Sequence, residues 1–66
     1  GIRQKMIGAR SAGAEWFLAP QANCGEVVGH IPAGLEVFAV SELAQAVDVV
    51  TAIGEGSSTD SFARCG

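Results

Sequence analysis

Two short, largely apolar runs constrain the fold of this 66-residue chain more than any other feature. The first covers residues 14–19 and ends at Pro20, and the second covers residues 35–40. Runs of this length that contain aromatic or branched apolar side chains are typical of buried strands. The connection between them, residues 21–34, is long enough to cross over a sheet. The sequence therefore predicts two parallel strands joined by a right-handed crossover.

Helical patterns flank both strands. A first helix is predicted over residues 2–12, with Gly13 just past its end, where a left-handed backbone is often required. Asn23 is predicted to cap a short helical turn that continues through residue 28. A second long helix is predicted to begin after the N-cap Ser41 and to stop at Gly54. Its apolar positions follow the i, i+3, i+4, i+7 spacing of one helix face: Leu43, Ala46, Val47 and Val50.

The predicted order is helix, strand, short helix, strand, helix, which is an α/β fold with a partial parallel sheet. The chain is 48% hydrophobic and 17% charged, and a domain of this size buries only about 60% of its unfolded surface. A two-stranded parallel sheet also needs further strands to be stable. We therefore expect residues 1–53 to be the C-terminal part of a larger domain whose other strands lie upstream. Residues 54–66, rich in Gly, Ser and Thr, are expected to form a flexible polar tail.

Composition excludes several classes of function. The net charge is −3 and the four basic residues are scattered, which argues against nucleic acid as a partner. Cys24 and Cys65 form no zinc-binding spacing and His30 is the only histidine, so neither a metal site nor a cofactor is predicted. We favour two free thiols, although a Cys24–Cys65 disulfide is the alternative in an oxidising compartment.

Lys5 is the residue of the first helix that most needs an explanation. At about 100° per residue, it shares one side of the helix with Ile2, Met6, Ala9 and Ala12. A lysine in such a place either extends its ammonium to water or acts as a general base. An ordinary lysine has a pKa of about 10.4, and burial in apolar surroundings lowers the pKa of a lysine toward neutrality.

Several motifs together resemble a known family. They are Gly-Ile-Arg-Gln-Lys-Met at residues 1–6, Ala-Arg-Ser-Ala-Gly-Ala at residues 9–14, Phe-Leu-Ala-Pro at residues 17–20, and Asn23. In this order and spacing they resemble the C-terminal part of the proteolytic domain of Lon proteases. The pairs Arg3-Gln4 and Asn23-Cys24 are more similar to the PDZ-containing, membrane-anchored Lon-like proteases of bacteria than to the ATP-driven enzymes.

The resemblance implies a serine-type endopeptidase with a Ser-Lys dyad. By position, Lys5 would be the catalytic lysine, acting as the general base. The serine would lie upstream of this chain, which would be inactive alone. The resemblance further implies a polypeptide substrate, a homo-oligomeric ring, packing against the upstream part of the same domain, and a protease domain that is anchored to a membrane and lies outside the cytoplasm.

The sequence leaves other interpretations of this chain open besides a peptidase. The segment fits a non-enzymatic α/β interaction or regulatory module, in which Lys5 is a surface residue and apolar faces pack on a partner chain. A pseudoenzyme remnant or a truncated reading frame is a third reading. Among the other polar residues, His30 is interpreted as a surface histidine and Asn23 as a cap. Cys24 is interpreted as a small hydrophobe, because no base is placed to activate it.

Overall fold

The computed structural model describes all residues, 1–66. Three helices and two strands follow one another along the chain: α1 (Ile2–Ser11), β1 (Trp16–Pro20), α2 (Cys24–Val27), β2 (Glu36–Val40) and α3 (Leu43–Glu55). A 3₁₀ turn at Gln21–Asn23 leads from β1 into α2. The α/β class and the order of elements are as predicted. None of the three helices has both the length and the hydropathy of a membrane span.

The two strands form a parallel sheet, as the sequence predicts. Trp16 lies opposite Glu36 and Pro20 lies opposite Val40, so the strands pair along their whole length. β1 starts two residues later than predicted, because Ala14 belongs to the turn after α1, where its carbonyl accepts a bond from Arg10 Nη1 at 2.9 Å. The side of β1 away from β2 has no strand partner.

The main core lies between the sheet and the layer formed by α1 and α2. Six buried residues form it: Met6, Ala19, Val27, Leu35, Val37 and Cys65. Successive side chains of a strand point to opposite faces. Phe38, next to Val37, is accordingly buried outside this cluster, and α3 packs against β2 with Val49 as its one buried residue. The sheet is thus a middle layer between α1 with α2 and α3.

Both ends of α3 lie later than predicted, by one residue at the start and by two at the end. Its N-cap is Glu42 rather than Ser41, and Glu42 forms a capping box with Gln45. Gln45 Oε1 also accepts a bond from the Ser41 hydroxyl at 2.9 Å, so Ser41 supports the cap without being it. The helix passes through Gly54 and ends at Glu55, because Gly56 is the glycine that adopts the left-handed conformation, with φ of 72°.

Residues 54–66 are not a free tail. The first two belong to α3, and the last ones return to the outer side of β2. The Ala39 amide donates to the Ala63 carbonyl at 2.9 Å, and the Cys65 amide donates to the Val37 carbonyl at 3.0 Å. Cys65 is 3% exposed. The composition of this segment suggested disorder, but its ends are tied to the folded part through these bonds and through Cys65.

The two cysteines form a disulfide, with their Cα atoms 5.0 Å apart, so the expectation of free thiols was wrong. They are 41 residues apart in sequence, so no local spacing of cysteines indicates that they pair. The fold brings them together because α2 begins at Cys24 beside the sheet and the chain end returns along β2.

Candidate functional site

Lys5 lies in the first turns of α1, but its side chain is exposed. Met6 is the only fully buried residue of the helix, and Lys5 is rotated from it by about 100°. The sequence places Lys5 among the apolar positions of the helix, but in the structure Lys5 is exposed. The helix buries a narrow stripe around Met6, and Lys5 stands at the edge of that stripe rather than inside it.

The edge position places Lys5 in a depression of about 350 Å³. The depression is lined by residues from three separate segments: Gly1, Ile2 and Lys5 at the start of α1; Phe17, Leu18 and Pro20 of β1; and Asn23 of the 3₁₀ turn. Its walls are largely apolar, and Lys5 is the only ionisable side chain among them. Every segment that lines it belongs to one of the motifs that carry the family resemblance.

Lys5 has no fixed polar partner, unlike the neighbouring arginines of α1. Arg3 Nε donates to the Glu26 carbonyl at 2.8 Å, and Arg10 Nε donates to the Ala33 carbonyl at 3.1 Å. These two bonds tie α1 to the crossover connection. The one ion pair of the chain joins Arg64 and Glu36, far along the sequence from Lys5. The amine of Lys5 is therefore available to a group that enters the depression.

Asn23 occupies the N-cap position of α2, yet its side chain makes no capping hydrogen bond. The sequence prediction of a cap is thus right about the position and wrong about the bond. Asn23 also lines the depression, where Lys5 is the other residue with a polar side chain.

The other candidate functional residues of the sequence, His30 and Cys24, do not line this depression. His30 is exposed and makes no side-chain hydrogen bond. Cys24 is bonded to Cys65 and has no free thiol. No group of three or more His, Cys, Asp or Glu residues lies close enough together to hold a metal ion. A second depression, at the carboxyl ends of both strands, is lined by Pro20, Gln21, Ala22, Val40 and Ser41, none of them ionisable.

No serine lines the depression around Lys5. The chain therefore supplies a candidate base but not a hydroxyl nucleophile beside it. Sequence reasoning gave the disulfide only as the less favoured alternative, and it missed the exposure of the apolar stripe of α3. Only the count of two cysteines hinted at the disulfide, and no sequence signal distinguished the stripe from a buried face.

Comparisons with known proteins give no match, since no protein-family model, no curated protein and no solved structure is significantly similar to this chain.

Proposed function

We propose that this chain is the C-terminal part of a Lon-like serine endopeptidase domain, with Lys5 as the general base of a Ser-Lys dyad. One observation carries the proposal. Segments that are up to about twenty residues apart in the sequence, and that hold the motifs of the resemblance, converge on a single depression around Lys5.

The proposed reaction involves a serine hydroxyl, the amine of Lys5 and a peptide bond of the substrate. A serine hydroxyl from outside these residues enters the depression and attacks a peptide carbonyl carbon. The neutral amine of Lys5 accepts the hydroxyl proton during the attack, and the resulting ammonium returns it to the leaving amine of the substrate. The residues that line the depression beside Lys5 include the apolar Ile2, Phe17 and Leu18.

The uncovered state of the depression fits this proposal. The free edge of β1 offers backbone groups to a further strand, and a two-stranded parallel sheet is an incomplete one. A strand added there would lie next to Phe17 and Leu18 and would shield Lys5 from water. The polypeptide substrate, the ring assembly and the anchoring outside the cytoplasm are parts of the same proposal and rest on the resemblance.

The test is hydrolysis of casein and of peptides by the complete gene product and its Lys5 variants. Lys5→Ala and Lys5→Arg are each expected to lower kcat about 10³-fold or more, because the base is lost in both. Arginine keeps the positive charge but does not deprotonate in proteins. Gln4→Ala is the matched control, since Gln4 is exposed on the same turn and does not line the depression. Circular dichroism checks that each variant is folded. Normal turnover by Lys5→Arg would refute the proposal.

A second candidate function, a non-enzymatic interaction module, is favoured by a different observation. The apolar stripe of α3 is open to solvent, with Leu43 81% exposed and Val47 and Val50 also exposed. Exposed apolar stripes of this kind mark contacts with other protein surfaces. Under this reading, Leu43→Ser with Val47→Ser abolishes association of the complete protein with its partner, and Lys5→Ala changes neither association nor any hydrolysis.

A further inference from the structure

Residues 57–66, which we name the C-terminal strap, extend the sheet beyond β2. Arg64 forms an antiparallel bridge with Phe38, and the two backbone bonds described above lie on either side of it. The strap therefore occupies the one edge of β2 that β1 leaves free. Its end is fastened by the Cys24–Cys65 disulfide to the start of α2, which belongs to the crossover connection.

The noncovalent contacts of the strap are few. Besides the two backbone bonds, Arg64 Nη2 donates to Glu36 Oε2 at 3.0 Å, and the Arg64 guanidinium lies 4.9 Å from the centre of the Phe38 ring. The Phe62 ring meets the Phe38 ring edge-on at 6.4 Å. Exposed ion pairs contribute little, and fixing each residue of a Gly- and Ser-rich segment costs conformational entropy. Besides the disulfide, these contacts, the bond from the Ser57 amide to the Ala52 carbonyl and the burial of Cys65 hold the strap in place.

The two ends of the disulfide differ in how they are held. α2 is fixed without it, because Val27 is fully buried in the core and the Glu26 carbonyl accepts the bond from Arg3. Cys65 is also buried, as a member of the main core, but most of the strap around it is exposed, including Ala63, Arg64 and Gly66. Breaking the disulfide is therefore expected to loosen the strap and to leave α2 in its position.

We propose that the Cys24–Cys65 disulfide is a redox clasp: oxidised, it holds the strap on the edge of β2, and reduced by a dithiol, it releases the strap and opens that edge. The proposal is independent of the peptidase assignment. It makes the edge of β2 a strand-accepting surface whose occupant in the oxidised protein is the chain's own strap.

The reaction is a thiol-disulfide exchange. A thiolate of the dithiol bonds to the sulfur of Cys24, which is the less buried of the two cysteines, and the bond between Cys24 and Cys65 breaks. Cys65 leaves as a thiolate and takes up a proton. The second thiol of the reductant then displaces Cys24, so that the reductant becomes a disulfide and the protein gains two electrons and two protons.

The experiment is residue-resolved amide hydrogen exchange on the complete protein, before and after treatment with dithiothreitol under native conditions. The Ala39 amide, which donates to the strap, is expected to exchange about tenfold faster or more after reduction. The Glu36 amide, which donates to Glu15 on the β1 side of the sheet, serves as the internal control and is expected to keep its protection. Titration of free thiols confirms that reduction is complete.

Cys65→Ser and Cys24→Ser are expected to reproduce the reduced pattern without any reductant, and Arg64→Ala is expected to keep the oxidised one. Unchanged protection of Ala39 in the reduced protein would overturn the proposal, because the strap would then be held by its noncovalent contacts. Loss of protection at Glu36 as well would also overturn it, since the disulfide would then support the whole fold. A disulfide that dithiothreitol does not reduce in the folded protein would equally exclude a redox clasp.

Discussion

The two faces of the sheet are covered in different ways. The face under α1 and α2 holds a continuous core around Met6 and Val37, although α1 carries few large apolar residues. The face under α3 buries only Val49 of the helix, although α3 has the more regular apolar pattern. The difference teaches that apolar periodicity predicts a helix but does not decide how completely the helix is buried.

Polar contacts explain part of this contrast. α1 is held in place by Arg3 and Arg10, whose guanidinium groups donate to backbone carbonyls of the crossover connection. α3 has a well-formed capping box at its start, but none of its side chains forms a hydrogen bond to another element. Long side chains thus anchor one helix to its neighbours, while the other depends on packing against β2 alone.

The largest expected effect is a difference in the free energy of unfolding between substitutions in α1 and in α3. Met6→Ala removes a fully buried side chain and is expected to lower the free energy of unfolding of the protein by about 2–5 kcal/mol. Leu43→Ala truncates a side chain that is 81% exposed, and it is expected to change that free energy by less than about 0.5 kcal/mol. Urea denaturation measures both. A cost at Leu43 that equals the cost at Met6 would contradict the contrast and would indicate that the α3 stripe is covered in the complete protein.

Alanine substitutions at two glycines, one in contact with α1 and one inside α3, also compare the two sides of the sheet. Gly34 has φ of 85°, and a Cβ there would stand 2.6 Å from Arg10 Nη2, so Gly34→Ala is expected to destabilise the α1 side by about 1–2 kcal/mol. Gly54 lies inside α3 with open space around a Cβ, so Gly54→Ala is expected to stabilise the protein by about 0.5–1 kcal/mol. Thermal unfolding of the two variants should therefore shift in opposite directions, and shifts of the same sign would argue against the assigned backbone conformations.

The next comparison concerns the arginine side chains that anchor α1. Arg10→Ala removes bonds to the Ala33 and Ala14 carbonyls and is expected to cost about 1–2 kcal/mol, because one of the bonds is partly buried. Arg3→Ala removes a single exposed bond and is expected to cost about 0.5 kcal/mol. Denaturant titration of the two single variants tests the order. A double variant of Arg10 and Gly34 should cost less than the sum of the singles, since the crowding at Gly34 involves Arg10.

The sequence predicted the helices and strands of this protein, but it did not predict which of their residues are exposed or lie close together. Both strands, their parallel pairing and the three helices follow from local periodicity and from the length of the connection. The sequence motifs named Lys5 and Asn23, but no local pattern reveals that residues of α1, β1 and the 3₁₀ turn line one depression. The exposure of Lys5 depends on the rotation of α1, which the single fully buried side chain of Met6 marks.

The sequence by itself determined the secondary structure, because helix and strand propensities, glycine positions and apolar spacing act over a few residues. Only the tertiary structure decided that Cys24 and Cys65 pair, that the C-terminal strap lies on β2, and that the α3 stripe is open. The physical reason is distance along the chain. Contacts between residues separated by tens of positions depend on how whole elements pack, and no short stretch of sequence encodes that packing.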